Sequence, residues 1–397
     1  MRFARILRRT PLAVPVAVAL AVVAVLAVHG SFERPFTWTP DGLFYQARVL
    51  QLRGESHDAA FRYVQEGPIS ERLRRVDPEH SGDPAWMAYN ERFFERRVAV
   101  PLVAAALHPA AGDRALLYVS VAGYVAAVLA VFMLLLMRFP LPVAAVVALA
   151  TALFPALSDN APLPHTDTWG VALLAFALAA ALRVLDRGLR WLPVWMAAIF
   201  VLAFTRDSTW VAILAAGWCA WRLRSRTGAW VAVAGVAAAL PAALLFPVPL
   251  RELLAFGVSG LEPAPDASWS LIAQRFPETV LELLRSNAGF IRGGEWLSGA
   301  YLAAGLALLF ALGRRRPPDA GATLLRGAAL AAAPYLLVVP VFSGLRLELV
   351  FVPAAAFGLA LGVQAVAARA FARAARARLA RGGVVPNLPA RQPMGTP

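Results

Sequence analysis

ALLYVSVAGYVAAVLAVFMLLLM, residues 115–137, runs for 23 positions without a charged side chain. As an α-helix it would be about 34 Å long at ~1.5 Å per residue, enough to cross a hydrocarbon core of ~30 Å. A second uncharged run, TGAWVAVAGVAAALPAALLFPVPL, occupies residues 227–250. Runs of this kind read as membrane-spanning helices. Hydrophobic residues make up 59% of the 397 positions, which leaves room for roughly ten segments of ~20 residues. Mean hydropathy is +0.62. Charged residues are 16% of the chain, against about 25% in soluble domains. An ordinary soluble enzyme, a secreted domain and a disordered chain are thereby excluded. A net charge of +14 would point to nucleic acid in a soluble protein. Here the arginines stand between apolar runs, where they orient the helices, and no nucleic-acid partner is expected. Cys219 is the sole cysteine, so no internal disulfide is available.

The fold class expected is all-α integral membrane, a bundle of about ten transmembrane helices with a large outer first loop containing interfacial helices. The helices fall near 11–29, 114–137, 139–157, 168–182, 191–205, 208–221, 228–247, 297–313, 327–343 and 349–368. Arg2, Arg5, Arg8 and Arg9 precede the first apolar stretch, which lacks a small-residue cleavage site and reads as an uncleaved first helix starting in the cytoplasm. With that start, Arg138, Arg183, Arg187, Arg190, Arg222, Arg224, Arg226 and the run 314–316 all fall on the inner side, as do Arg369, Arg373, Arg376, Arg378 and Arg381. That is the asymmetry the positive-inside rule asks for. Counting 98–111 as a span would reverse it, so this segment reads as an interfacial or re-entrant helix. The organisation is then a cytoplasmic N-terminus and first helix (1–29), an outer loop (30–113), helices 2–7 (114–247), a second outer loop (248–296), helices 8–10 (297–368) and a basic cytoplasmic tail (369–397) whose end, from 382, reads as disordered. Amphipathic patterns at 41–52 and 276–284 predict ordered interfacial helices in the two outer loops. The localisation expected is the plasma membrane, with both termini cytoplasmic.

Polar residues not needed for orientation gather at the outer helix ends. In Thr39-Pro40-Asp41-Gly42, Thr39 suits an N-cap and Pro40 a first helical position. Asp41, Tyr45 and Arg48 then share a helix face at i, i+4 and i+7. An acidic residue in a first turn also simply complements the helix dipole. His165 and Asp167 sit between two spans, where they could polarise a substrate or hold a metal, or where Thr166 or Asp167 could cap the next helix. Arg206 and Asp207 lie in a very tight turn, and a charge so placed is either paired and snorkelling or grips a phosphate, for which the planar guanidinium fork is suited. Arg346, before Glu348, poses the same choice in the last outer turn.

These segments together resemble the GT-C superfamily of polytopic glycosyltransferases, of the mannosyltransferase or aminoarabinose-transferase kind. Asp41, Tyr45 and Ala47 resemble the family's acidic–Tyr–Ala run after the first span. Residues 93–102 (FFERRVAVPL) look like the end of its first loop. Pro164-His165-Thr166-Asp167 and Thr205-Arg206-Asp207 resemble motifs at later outer turns, and Arg346 followed by Pro353 is similar to a late arginine–proline pattern. The resemblance implies an inverting enzyme that moves a sugar from a polyprenyl-phosphate donor to a lipid, glycan or protein acceptor. It implies Asp41 as catalytic base and a donor-phosphate or substrate role for Arg206, Arg346, His165, Tyr45, Arg48, Asp167 and Asp207. Many relatives carry Asp-Glu where this chain has Asp41-Gly42, which removes a second carboxylate. No cofactor is implied, and a divalent metal is compatible with such chemistry but not indicated. Two rival classes are a transporter or lipid flippase, which would keep polar groups near the bilayer midplane and for which Pro241, Pro334 and Pro340 could break helices, and a non-catalytic envelope-assembly protein, which would tolerate changes at Asp41, Arg206 and Arg346.

Overall fold

A computed structural model describes residues 11–33, 39–67, 83–260, 262–313, 319–338 and 343–380. The N-terminal arginines, the run 314–316, Arg381, Pro340 and the tail from 382 lie outside the described residues. All regular structure among the described residues is helical. In chain order the main helices are α1 (Ala13–Val28), α2 (Pro40–Leu52), α3 (His57–Glu66), α4 (Pro84–Phe94), α5 (Ala99–Ala111), α6 (Ala115–Leu136), α7 (Leu141–Ala152) and α8 (Asp167–Arg187). They continue as α9 (Leu192–Ala203), α10 (Thr209–Leu223), α11 (Arg226–Leu245), α12 (Leu250–Val258), α13 (Trp269–Arg292), α14 (Trp296–Gly313), α15 (Ala320–Val338) and α16 (Val352–Ala380).

Six helical segments among the described residues are long and apolar enough to cross a membrane: Ala99–Leu136, Asp167–Arg187, Arg226–Leu245, Trp296–Gly313, Ala320–Val338 and Leu347–Ala377. Three shorter apolar helices accompany them, Ala13–Val28, Leu141–Ala152 and Leu189–Ala203. Their outward faces are greasy. Val14, Val18, Val22, Val25 and Leu26 on α1 are exposed, as are Trp230, Val233, Val236, Leu240 and Leu244 on α11. Stripes of that size facing water would drive aggregation, whereas a bilayer solvates them. Boundaries differ from the expected ones where turn chemistry intervenes. The expected helix 139–157 ends at Ala152, because Leu153 and Phe154 leave the helix before Pro155. The expected helix at 327–343 begins earlier, at Ala320, with Asp319 accepting from the Ala322 amide at 2.9 Å. Pro241 and Pro334 lie inside α11 and α15, which continue past them.

The stretch Ala99–Leu136 is largely apolar over its 38 residues, yet it is two helices, parted at Gly112-Asp113-Arg114. Gly112 turns the chain with φ of 57°, a conformation that excludes a side chain. Both ends of α5 belong to one layer: the Ala99 amide donates to the Phe204 carbonyl at 3.0 Å, and Asp113 accepts from Gln46 on α2 and Tyr63 on α3 at 2.7 and 2.8 Å. With 13 residues α5 spans about 20 Å, short of the ~30 Å core. It packs against α2 and α6. There a separate hydrophobic cluster joins Leu43, Phe44 and Val49 to Met87, Ala104 and Leu116. The two long loops also meet: Arg92 on α4 pairs with Glu252 on α12, and Phe93 stacks on Phe256 at 4.9 Å between centroids.

The main core runs through α6, α8, α10, α15 and α16, where alanine and leucine dominate the buried positions. At the far end from α2, Arg138 donates twice to Asp186, at 2.8 and 2.7 Å, with Asp319 at 3.5 Å. This ties the ends of α6 and α8 to the start of α15. Helices α14 and α16 pack backbone to backbone at two glycines. A Cβ built on Gly358 would lie 1.8 Å from the Gly305 carbonyl oxygen, and one on Gly305 would lie 2.5 Å from that of Ala355. Small residues let membrane helices pack backbone to backbone in this way. Gly358→Leu should therefore abolish a monodisperse, folded peak in detergent size-exclusion, while Gly217→Leu, at a glycine with open space around its Cβ, should elute like the wild type.

Candidate functional site

The site is assembled where the loop layer meets the bundle. Thr39 caps α2, its hydroxyl accepting from the Gly42 amide at 3.2 Å. Pro40 follows at the first helical position, and Asp41 is fixed in the first turn. Gly42 has a packing reason: a Cβ there would come within 2.5 Å of Pro164 Cγ. The absence of a side chain lets the start of α2 lie against the 159–166 loop. That loop is pinned to α6 in turn. Ser120 donates to the His165 carbonyl at 3.3 Å, Thr168 to the Ser120 carbonyl at 2.8 Å and the Trp169 indole to the Val119 carbonyl at 2.7 Å.

Four parts of the chain, far apart in sequence, deliver charge to this point. Arg346 forms an ion pair with Asp41, and its Nε lies 3.5 Å from Asp167. Arg206 forms a second ion pair with Asp167. His165 is within 3.5 Å of Asp167 and shares a 2.6 Å hydrogen bond with the Thr39 hydroxyl. Arg206, Asp167 and His165 are buried, with side-chain exposures of 5%, 2% and 2%. Asp41 and Arg346 are the part the solvent reaches, at 19% and 20%. Gly170 makes room on α8 for the Arg206 stem, since its Cβ would sit 3.1 Å from Arg206 Cγ.

A further shell holds this arrangement. Tyr45 shares a 3.1 Å bond with Thr166 and accepts from Arg97 at 2.9 Å. Arg97 also donates to Asp207 at 3.0 Å, and Arg96 pairs with the same carboxylate. Of the residues singled out in the sequence, Asp41, Tyr45, His165, Asp167, Arg206, Asp207 and Arg346 thus belong to one connected network. Arg48 does not. It donates to Gln51 on its own helix at 2.8 Å: it shares the face of Asp41 but lies about 10 Å further along the axis at ~1.5 Å per residue. Two alternatives that the sequence left open are not the contacts formed. Arg206 does not pair with its neighbour Asp207, because the tight turn sends the two side chains to opposite partners. Neither Thr166 nor Asp167 serves merely as a cap: no side-chain cap bond forms at Thr166, whose hydroxyl goes to Tyr45. Arg96 and Arg97 join the network unannounced. Their adjacency at the end of the first loop was the one available signal.

The electrostatics follow from these contacts. Burial works against charge on Asp41, but Arg346, and behind it Arg97 and Arg206, outweigh this and hold its carboxyl at about 2. Burial, reinforced by Arg346, lowers His165 to about 4, so it is neutral at physiological pH. Burial disfavours the Arg206 charge, and Asp167 more than compensates, leaving it firmly protonated. Four guanidiniums (Arg96, Arg97, Arg206, Arg346) therefore face three carboxylates (Asp41, Asp167, Asp207), one positive charge in excess. Beside them lies a cavity of ≈ 20 Å³ lined by Asp167, Gly170, Arg206, Ser208, Tyr335 and Arg346, among others. Arg206 Nη1, Ser208 Oγ, Asp167 Oδ2 and Arg346 Nε are buried without a hydrogen-bond partner among the described residues. Buried polar atoms are normally satisfied, so this set marks a place for a polar guest. The excess of charge favours an anion.

Because His165 titrates at about 4 folded and near 6.5 unfolded, protons bind the unfolded chain more tightly. Stability should be full above pH 6.5 and decline as pH falls from there towards 4. The thermal midpoint of the purified protein, followed across that window, should show this slope, and His165→Gln should flatten it. No protein-family model matches the chain, and no curated protein matches it in sequence.

Proposed function

We propose that this chain is a multi-pass membrane glycosyltransferase of the GT-C type, which moves a sugar from a polyprenyl-phosphate donor to a lipid, glycan or protein acceptor with inversion. The observation that carries this reading is the meeting of Asp41 with Arg346, Arg206, His165 and Asp167 at one end of an apolar bundle. A carboxylate beside paired guanidiniums, with unsatisfied donors and a net positive charge, suits transfer away from a phosphate leaving group. Asp41 takes the proton of the acceptor hydroxyl. The hydroxyl oxygen bonds to the anomeric carbon as the bond to the phosphate oxygen breaks, and the phosphate keeps that electron pair. Arg206 and Arg346 meet the charge as it develops. Neutral His165 orients Arg346 and Thr39. Asp167 fixes Arg206, and Asp207 fixes Arg97 against Tyr45.

In this reading the bundle has ten spans, α1, α6–α11 and α14–α16, with α5 lying in the interface. The shorter helices α1, α7, α9 and α10 need local thinning of the bilayer. The site end faces outward, the Arg138–Asp186 end faces the cytoplasm of the plasma membrane, and both termini are cytoplasmic. A donor lipid then keeps its chain in the bilayer while its phosphate rests at the interface. Loss of a general base costs typically about 10²–10⁴-fold. Transfer from a radiolabelled polyprenyl-phosphate sugar in membranes should fall by that order in Asp41→Asn, with insertion and elution unchanged. Turnover equal to the wild type would remove Asp41 from the mechanism.

A further inference from the structure

The cavity beside Arg206 has the volume of about one water. A phosphate diester does not fit it as it stands. Arg346 lines the cavity and is paired with Asp41. The same guanidinium is thus assigned two anions, the base and the leaving group, and in this state it serves the base. Held so, Asp41 is a poor proton acceptor.

We propose that Arg346 is a latch: without a donor it neutralises Asp41 and shuts the cavity, and an incoming phosphate bound by Arg206 and Ser208 draws it off the carboxylate, so that the base is armed only when the donor is loaded. The proposal rests on reading the site as a phosphate site. Three features carry it. First, the cavity already offers an incoming anion donors without a hydrogen-bond partner at Arg206 Nη1 and Ser208 Oγ. Second, of the two ion pairs beside the cavity Asp41–Arg346 is the accessible one, whereas Arg206–Asp167 is sealed. An anion arriving from solvent therefore meets Arg346 first and can compete for it without breaking the buried pair. Third, Arg346 sits on a turn that stores strain. Gly344 and Leu345 have φ of 61° and 63°, and Leu345, which pays the steric penalty of that region, is buried.

The other groups facing Asp41 do not take over from Arg346. His165, from the 159–166 loop, is neutral. Arg97, from the end of the first loop, is engaged by Tyr45 and Asp207, and Arg206, from the α9–α10 turn, by Asp167. Asp167, at the start of α8, bears a like charge. Removal of Arg346 therefore takes away the nearest cation that holds the Asp41 carboxyl low and leaves burial to push it up. The functional consequence is order. The acceptor hydroxyl, or a stray water, finds no base until the sugar donor is in place.

The test is the reactivity of Asp41 towards a water-soluble carbodiimide, which attacks the protonated carboxyl, read by peptide mass spectrometry. Full-length protein in nanodiscs at pH 5 is labelled alone, with polyprenyl phosphate and with the uncharged polyprenol, and lipid binding is measured on the same samples. Unliganded wild type should label slowly. Polyprenyl phosphate should raise the rate at Asp41 about tenfold or more, as expected from a rise of at least one pKa unit, and polyprenol should leave it unchanged. Arg346→Gln should label fast without any lipid. Polyprenyl phosphate that binds but leaves Asp41 as unreactive as before overturns the latch alone. Polyprenyl phosphate that does not bind overturns the phosphate reading, and the latch with it.

Discussion

The ion pair between Arg206 and Asp167 is the constraint on which the rest depends. Both side chains are withdrawn from solvent, and charges in such a place are sustained only by each other. The pair fixes the α9–α10 turn against the start of α8. Gly170 gives the arginine its bed, and Ser120 and Thr168 lock α8 to α6. With that frame set, the 159–166 loop can receive the first turn of α2 through Pro164 and Gly42, and Asp41 arrives beside Arg346. The site is therefore a joint between the loop layer and the bundle, and each half is incomplete without the other.

The network is graded from the inside out. Arg206 and Asp167 are dry and fixed, His165 is dry and neutral, and Asp41 and Arg346 are partly wet. On the latch proposal, this grading separates the pair that keeps its partners from the pair that exchanges them. A fully buried Asp41–Arg346 pair would be too costly to open, and a fully exposed one would be screened to little effect. The excess of one guanidinium gives the pocket its preference in charge, and the unsatisfied atoms around the small cavity give that preference a location.

Much of this was legible in the sequence, for identifiable reasons. Uncharged runs such as 115–137 announce helices by length and composition, and the spacing of arginines divides the chain into two polar ends. Thr39-Pro40-Asp41 signals a helix start through local capping chemistry, and α2 begins there. Arg206 and Arg346 stood out because a charge in a tight turn between apolar helices needs a reason. What stayed hidden were partners. Nothing local says that Arg206 reaches past Asp207 to Asp167, 39 positions earlier, or that Gly42 is there for Pro164. Arg48 shows the limit of periodicity: it shares a helical repeat with Asp41 and Tyr45 yet falls outside the network, because tertiary packing used only the first two turns. Helix ends such as Ala152 were also missed, since an apolar run does not show where the backbone leaves the helix inside it.

The claim at the centre is that residues from α2, the 159–166 loop, the α9–α10 turn and the turn before α16 form one pocket selective for an anionic lipid head. The most direct measurement compares equilibrium binding of polyprenyl phosphate and of polyprenol to the wild-type protein in nanodiscs, titrated with salt. The account predicts that the phosphate binds at least about tenfold more tightly and that the advantage shrinks only modestly with salt, as for a partly buried site. Equal affinity for the two lipids would contradict it.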